Sequence, residues 1–210
     1  QPEFRSFLTY IFSFIILTLL IYLSIPFFFN YENFKPKIEK KLFFNFGLNL
    51  KFTDKIQYNF FPSPRLNIYK VEILNFPEGS NKIGLVKKII LKVPFKKLVN
   101  IKKIDFDSVE LIDASINVKT SEINNFKNYL NNLSDNKPIY IKKSRINILD
   151  KDNLLLTIGI DKLDLSNKGL FTKANLKSQI FNTKVKINYQ LKNTEKKPTS
   201  NITLSIPKIG

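Results

Sequence analysis

The chain has no cysteine and no histidine, only three arginines, and no charged residue between Arg5 and Glu32. Without cysteine there is no disulfide framework and no thiolate chemistry. Without histidine the commonest general base and the commonest transition-metal ligand are both missing. No Gly-rich phosphate loop occurs. The net charge is +17, yet Arg5, Arg65 and Arg145 are the only arginines. A duplex-binding surface draws on Arg for bidentate base contacts and gathers its charge on one element. Here the lysines are spread along strands and turns, alternating with apolar residues, which is the pattern of a solvated sheet face. No nucleic-acid partner is expected. Attraction to anionic lipid head groups fits better, because the positive charge begins beside the uncharged run. Asp105, Asp107 and Glu110 are the densest acidic group. Carboxylates at i and i+2 of a strand share a face and suit a divalent cation, but no further acidic ligands lie nearby in sequence, so solvated edge charges are expected. The chain is therefore read as non-enzymatic, with no catalytic residue, no metal and no cofactor.

What is present begins with an apolar run. Leu, Ile and Phe supply 16 of the 23 residues from Phe7 to Phe29. At ~1.5 Å per helical residue the run is roughly 35 Å long, enough to cross a hydrocarbon core of ~30 Å with some tilt. Each Leu, Ile or Phe near the bilayer centre favours insertion by about 0.3–0.6 kcal/mol. The run exceeds a signal-peptide core of ~7–15 residues and ends in Phe27-Phe28-Phe29 with no small-residue cleavage site. Residues 7–29 are therefore expected to be an uncleaved transmembrane anchor. Tyr10, Tyr22 and Tyr31 lie towards its ends, where amphipathic rings favour the interface. Lys35, Lys37, Lys40 and Lys41 follow the run, and counting positive charge alone would place the body in the cytoplasm. Glu32 and Glu39 partly offset them, and charge does not settle the sidedness.

Residues 30–47 form the second segment. Pro36 suits a first helical turn, Ile38, Leu42 and Phe46 recur every four residues, and Gly47 suits the stop. Two placements fit this juxtamembrane amphipathic helix: on the bilayer surface, or packed on the end of the following sheet. The third segment, residues 48–210, is β-rich. The period becomes two at Leu48, Leu50 and Phe52, and again at Ile89, Leu91 and Val93. Ile112, Ala114, Ile116 and Val118 read as one face. So do Leu154, Leu156, Ile158 and Ile160, then Leu170 to Ile180, then Val185 to Leu191, and finally Ile202, Leu204 and Ile206. Such alternation means half-buried strands with one apolar and one wet face. Asp150–Asn153, Ser166–Gly169 and Asn182–Thr183 are turn-sized, so the second half reads as an antiparallel meander. Ile123, Phe126, Leu130 and Leu133 predict one interrupting helix, and Phe95–Asn100 a single helical turn or a loop.

The segment Phe60-Phe61-Pro62-Ser63-Pro64-Arg65-Leu66, continuing to Ile73, is similar to a phrase in the N-terminal region of the AsmA family of bacterial envelope proteins. The strand Val86–Pro94, the Leu98-Val99-Asn100 connection, the strand Ile101–Leu111 and the Asn-containing Ile123–Phe126 follow in the family's order, as does the strand series Ile139–Leu191. The most specific positions are Phe61, Pro62, Pro64 and Arg65. The chain departs from the family in its lysine content and in having Asn153 where Gly is more usual.

The resemblance implies a mainly β fold: an N-terminal transmembrane helix, then a curved, groove-like antiparallel sheet with one or two short helices. Family members are longer, so the chain would be the front part of one. Relatives of the family resemble bridge-like lipid transfer proteins, with an apolar concave face that acyl chains can cover. The same alternation also fits an ordinary sandwich in which a second sheet or helices cover that face. On the groove reading, Ile112, Ala114, Ile116, Leu156, Ile158, Leu176 and Val185 are lipid-facing candidates. The implied function is that of an envelope-biogenesis protein in the inner membrane of Gram-negative bacteria, with most of the chain periplasmic, binding phospholipids or conducting them along the apolar groove towards the outer membrane. The implied partners are membrane lipids and, beside them, envelope assembly proteins. A non-transporting scaffold for outer-membrane protein or lipopolysaccharide assembly is the competing reading, and a short anchored β-jellyroll is a third arrangement.

Overall fold

The computed structural model describes residues 2–74, 81–100, 103–123, 137–168, 171–192 and 199–206. Helix α1 covers Pro2–Ser24, and a 3-10 turn over Ile25–Phe28 extends it. The stretch Ser6–Phe28 is long and apolar enough to span a membrane, and almost none of it is buried against the rest of the chain. A second 3-10 turn, Tyr31–Phe34, leads into helix α2, Lys35–Phe46. Gly47 ends α2 in the left-handed region at φ 62°, and the Leu48 N–H reaches back to the Leu42 carbonyl at 3.2 Å. That six-residue closure needs positive φ at Gly47, where a side chain would be strained.

Ten strands follow among the described residues: β1 (Leu50–Phe52), β2 (Ile56–Asn59), β3 (Arg65–Leu74), β4 (Lys82–Lys92), β5 (Ser108–Lys119), β6 (Ile139–Asp150), β7 (Asn153–Lys168), β8 (Phe171–Ile180), β9 (Thr183–Lys192) and β10 (Thr199–Ser205). They form one open sheet in the order β1-β3-β4-β5-β6-β7-β8-β9-β10, with β2 beside β1 on the same edge of β3. Every pairing is antiparallel except β5 with β6, which run parallel. The expected antiparallel meander runs from β6 to β10, and the sheet as a whole is mixed because the chain crosses over between Lys119 and Ile139 and re-enters in the same direction. The helix predicted from Phe126, Leu130 and Leu133 falls in that crossover and, beyond Ile123, lies outside the described residues. The Phe95 turn is a 3-10 turn over Phe95–Lys97. The tight link at Phe181–Asn182 has φ of 47° and 61°, as a two-residue hairpin turn requires.

A crease crosses the sheet. Lys70, Asp113 and Lys143 all have positive φ, at 51°, 57° and 50°. Lys87 and Asp161 continue the same line on β4 and β7, where the ladder pairings are interrupted. At each crossing two consecutive residues face outward, so the inward positions change parity. Inward residues are Val109 and Leu111 before the crease on β5, and Ala114 and Val118 after it. On β3 they are Leu66 and Ile68 before, and Val71 and Ile73 after. The parallel β5–β6 pairing is interrupted here too, and the Ser144 hydroxyl fills the gap. It accepts from the Ala114 N–H at 2.9 Å and donates to the Lys142 carbonyl at 2.8 Å.

Helix α2 lies on the inner face of the first strands. Ile38, Leu42 and Phe46 are essentially fully buried in one core with Leu66, Ile68, Val71, Val86, Ile89, Leu91 and Phe106. Of the two placements open to the amphipathic helix, the structure takes the sheet: its apolar stripe is fully occupied there and is not available to a bilayer. Burying these three side chains contributes about 5–9 kcal/mol, an upper estimate because the unfolded chain already buries part of this surface. Polar contacts fix the docking. The Phe52 N–H donates to Glu39 Oε1 at 2.6 Å, and Lys41 Nζ donates to the Ile104 carbonyl at 2.6 Å.

Candidate functional site

The register brings apolar residues from successive strands into unbroken rows perpendicular to the strands. One row runs Ile68, Ile89, Leu111, Ile141, Leu163, Leu176, Ile187, Leu204. A second runs Leu66, Leu91, Val109, Ile139, Leu165, Ala174, Tyr189, Ile202. Exposure rises along each. Ile68 and Ile89 are 0 % exposed and Leu204 is 60 %; Leu66 and Leu91 are 0 % and Ile202 is 68 %. The beginning of each row is closed by α2. Ile139 still belongs to the closed core, and Ile141 and Leu165 pack against it; beyond them, among the described residues, no second sheet and no α-helix packs on this face.

The face is nevertheless a trough and not a plane. A row beside the crease, Ala114, Ser144, Ile160, Ser178 and Val185, stays buried across five strands. Small side chains such as Ser178 sink out of reach of solvent when the flanking rows rise on either side. The Ser178 hydroxyl is buried without a partner, an arrangement that costs about 1–3 kcal/mol. The flanking rows, Ile146, Ile158 and Ile180 on one side and Ile141, Leu163 and Leu176 on the other, are half-buried. From β6 to β10 the open apolar face spans roughly 19 Å at ~4.8 Å per strand. That exceeds the ~15 Å that one leaflet contributes to a hydrocarbon core. The opposite face is wet: Lys173, Lys177, Lys184 and Lys186 project from β8 and β9, each exposed.

The sequence-derived candidates divide. Ile116, Leu156, Ile158, Leu176 and Val185 all lie on the inner face, with Ile158 opposite Ile146 and Val185 opposite Ser178. Ala114 is also on this face but is 1 % exposed within the closed core, so it is wall material. Ile112 does not belong. It pairs with Lys88 and Lys142 on the outer face, because the positive φ of Asp113 turns it away from Ala114. Strict alternation from Ile112 to Val118 missed that flip. The signal was present in the recurring polar doublets Lys87-Lys88, Lys142-Lys143 and Asp161-Lys162 at mid-strand. Ile141, Leu163, Leu165 and Ile187 complete the open face and were not among the candidates.

Two other sites take definite form. Asp105 is not a solvated edge charge: Lys137 and Lys97 donate to its carboxylate at 2.7 and 2.8 Å, and Lys41 stands 3.9 Å away. Burial alone would raise its pKa. The hydrogen bonds from Lys137, Lys97 and the Phe106 N–H outweigh that and hold it well below the ordinary carboxylate range. Burial lowers the Lys41 pKa despite the neighbouring carboxylate. Glu110 is engaged by Lys142. Among the described residues no group of three acidic or other metal-binding side chains comes together.

The phrase around Pro62 forms a braced loop. The Phe61–Pro62 bond is cis, the Arg65 guanidinium donates to the Phe61 carbonyl, and the Pro64 carbonyl accepts from the Val93 N–H at 2.9 Å. The loop adjoins the end of the apolar span: the Phe27 ring lies edge-on to Tyr58 at 5.0 Å and to Phe60 at 6.2 Å. Burial among these rings raises the Tyr58 pKa to about 12.

No curated protein matches the chain. The family model described as the AsmA family matches residues 2–206. With an apolar N-terminal helix, a braced proline loop and one open sheet along nearly its whole length, the chain belongs to the AsmA family.

Proposed function

We propose that the chain is a non-enzymatic, inner-membrane-anchored envelope protein whose apolar trough binds phospholipid acyl chains and conducts them towards the outer membrane, with the body in the periplasm. The observation that carries this reading is the continuation of the apolar rows beyond α2, onto strands whose inner face has no cover among the described residues. An apolar face of this extent needs an occupant, and a trough running across the strands fits an extended chain better than a compact ligand. Family membership supports an envelope role. The apolar span supports a single-pass anchor.

The scaffold reading is favoured by one feature, the β10 edge, where Ile202 and Leu204 stand out beside a strand edge that no other strand pairs with among the described residues. Mass spectrometry of lipids co-purified with the detergent-extracted protein separates the two. Stoichiometric phospholipid lost on Leu176→Asp supports the trough, and its absence from the native protein favours the scaffold. A phosphatase fused after Leu191 should be active in the periplasm; an inactive phosphatase with an active cytoplasmic reporter at the same position overturns the orientation.

A further inference from the structure

The end of the apolar span does not stand clear of the body. Tyr22 lies six residues before the end of the span at Phe28, roughly 9 Å deeper along the helix axis. Its hydroxyl donates to the Phe95 carbonyl at 2.8 Å, and its ring meets the Phe95 ring at 4.9 Å. The 3-10 turn of Phe95 is thereby held level with residues inside the span. Beside it, Phe27 holds the braced loop through Phe60. These two loops carry exposed apolar side chains: Phe61 is 77 % exposed, Phe95 46 % and Val99 45 %. Lys96 and Lys103, both exposed, are on the same segment as Phe95 and Val99.

We propose that the Phe60–Phe61 loop and the Phe95–Val99 turn form a second membrane contact that enters the head-group region of the leaflet from which the anchor emerges. The partner is a lipid surface containing anionic head groups. The inference rests on α1 spanning a bilayer. Given that, the level of Tyr22 places the Phe95 turn at the depth of ~5–10 Å where amphipathic surface elements settle, Phe27 sets the Phe60–Phe61 loop at the edge of the span, and aromatic rings favour that layer. Lys96 and Lys103 meet the negative surface potential. On this arrangement the proline phrase has a mechanical role, since Arg65 and Pro64 brace the loop so that Phe61 projects towards lipid. The docking also orients the trough, because the strand ends at Arg65, Lys92, Ser108 and Ile139 share that side of the sheet.

The chain's lack of cysteine allows single labels without background. The full chain is reconstituted in vesicles of phosphatidylethanolamine and phosphatidylglycerol, with an environment-sensitive fluorophore on Phe61→Cys, Phe95→Cys, Leu17→Cys or Asp152→Cys. Quenching by spin-labelled lipids then reports depth. Asp152, at the opposite end of the sheet, is the solvent reference with its side chain 97 % exposed. Quenching by shallow spin labels at least threefold stronger at Phe61 and Phe95 than at Asp152, with Leu17 quenched by deep labels, supports the docking. Leu17 quenched but Phe61 indistinguishable from Asp152 overturns the docking and leaves the anchor standing. If Leu17 itself is not quenched, the span fails and the docking falls with it. Phe61 is on the surface, so its replacement leaves the core intact.

Discussion

A charge placed on the open part of the trough should block lipid without unfolding the sheet. Leu176 on β8 is half-buried and faces Leu163 and Ile187 across its two neighbours. Lys177, one residue on, pairs with Lys186 on the outer face. In Leu176→Asp, the fold loses part of the ~1.5–3 kcal/mol that burial of a Leu contributes, and the new carboxylate keeps contact with water while the trough is empty. A destabilisation of about 1–2 kcal/mol is expected. An acyl chain lying against that carboxylate strips its water, and an unpaired charge in an apolar setting costs several kcal/mol. At about 4 kcal/mol, passage or occupancy falls roughly a thousandfold. Lys177→Glu changes the net charge by more, yet should leave occupancy nearly intact. The assay is phospholipid retained per protein, and transfer between vesicles, at equal folded protein as judged by thermal melting. Equal lipid content in the two folded variants would refute the trough as the lipid path.

Asp105→Asn removes the carboxylate that gathers Lys41, Lys97 and Lys137, and should cost about 2 kcal/mol near neutral pH. Because the folded carboxyl titrates below its ordinary range, its contribution is fully present above the unfolded value of about 4 and is lost as pH falls through the folded value. The gap between native and variant in denaturant melts should therefore stay constant from pH 7 to about pH 5 and close below about pH 4; a gap that widens on acidification contradicts the clasp. Gly84→Ala should destabilise by about 1–3 kcal/mol. A Cβ there would lie 2.5 Å from the Ser115 carbonyl oxygen of the neighbouring strand, so β4 and β5 must part. An unchanged melting temperature would show that the two strands have room for the methyl group and are less closely packed than this distance requires.

Much of the architecture could be read from residue order because it rests on local rules. Gly47 after a four-residue apolar repeat marks the end of α2, and the alternation of Val185, Ile187 and Tyr189 gives a strand with one wet face. The remainder depends on contacts distant in sequence. Whether Ile38, Leu42 and Phe46 met a bilayer or a sheet depended on an apolar surface supplied by β3 to β5. Asp105 looked solvated because its lysines come from positions 41, 97 and 137, which nothing local connects. The direction of β6 was hidden in the crossover before it. Ile112 was misassigned for a different reason: one residue in the left-handed region reverses parity, and Asp113 resembles any other exposed strand position. The open face itself was legible through Ile158 and Leu176, with Ser178 on the same alternating face, whereas Ser144 was not, since a serine beside the Lys142-Lys143 doublet reads as a break in the pattern.

The central claim is that lipid occupies the inner face of β6 to β9. Photo-crosslinking in intact cells at two adjacent positions tests it most directly. Ile158 and Thr157 are neighbours on β7 that face opposite sides of the sheet, pairing with Ile146 and Asn147 of β6. A photoreactive residue at Ile158 should yield phospholipid adducts, and one at Thr157 should yield few or none. Adducts at Ile158 only with peptides of this same chain, or lipid adducts in equal yield at both positions, would contradict the account.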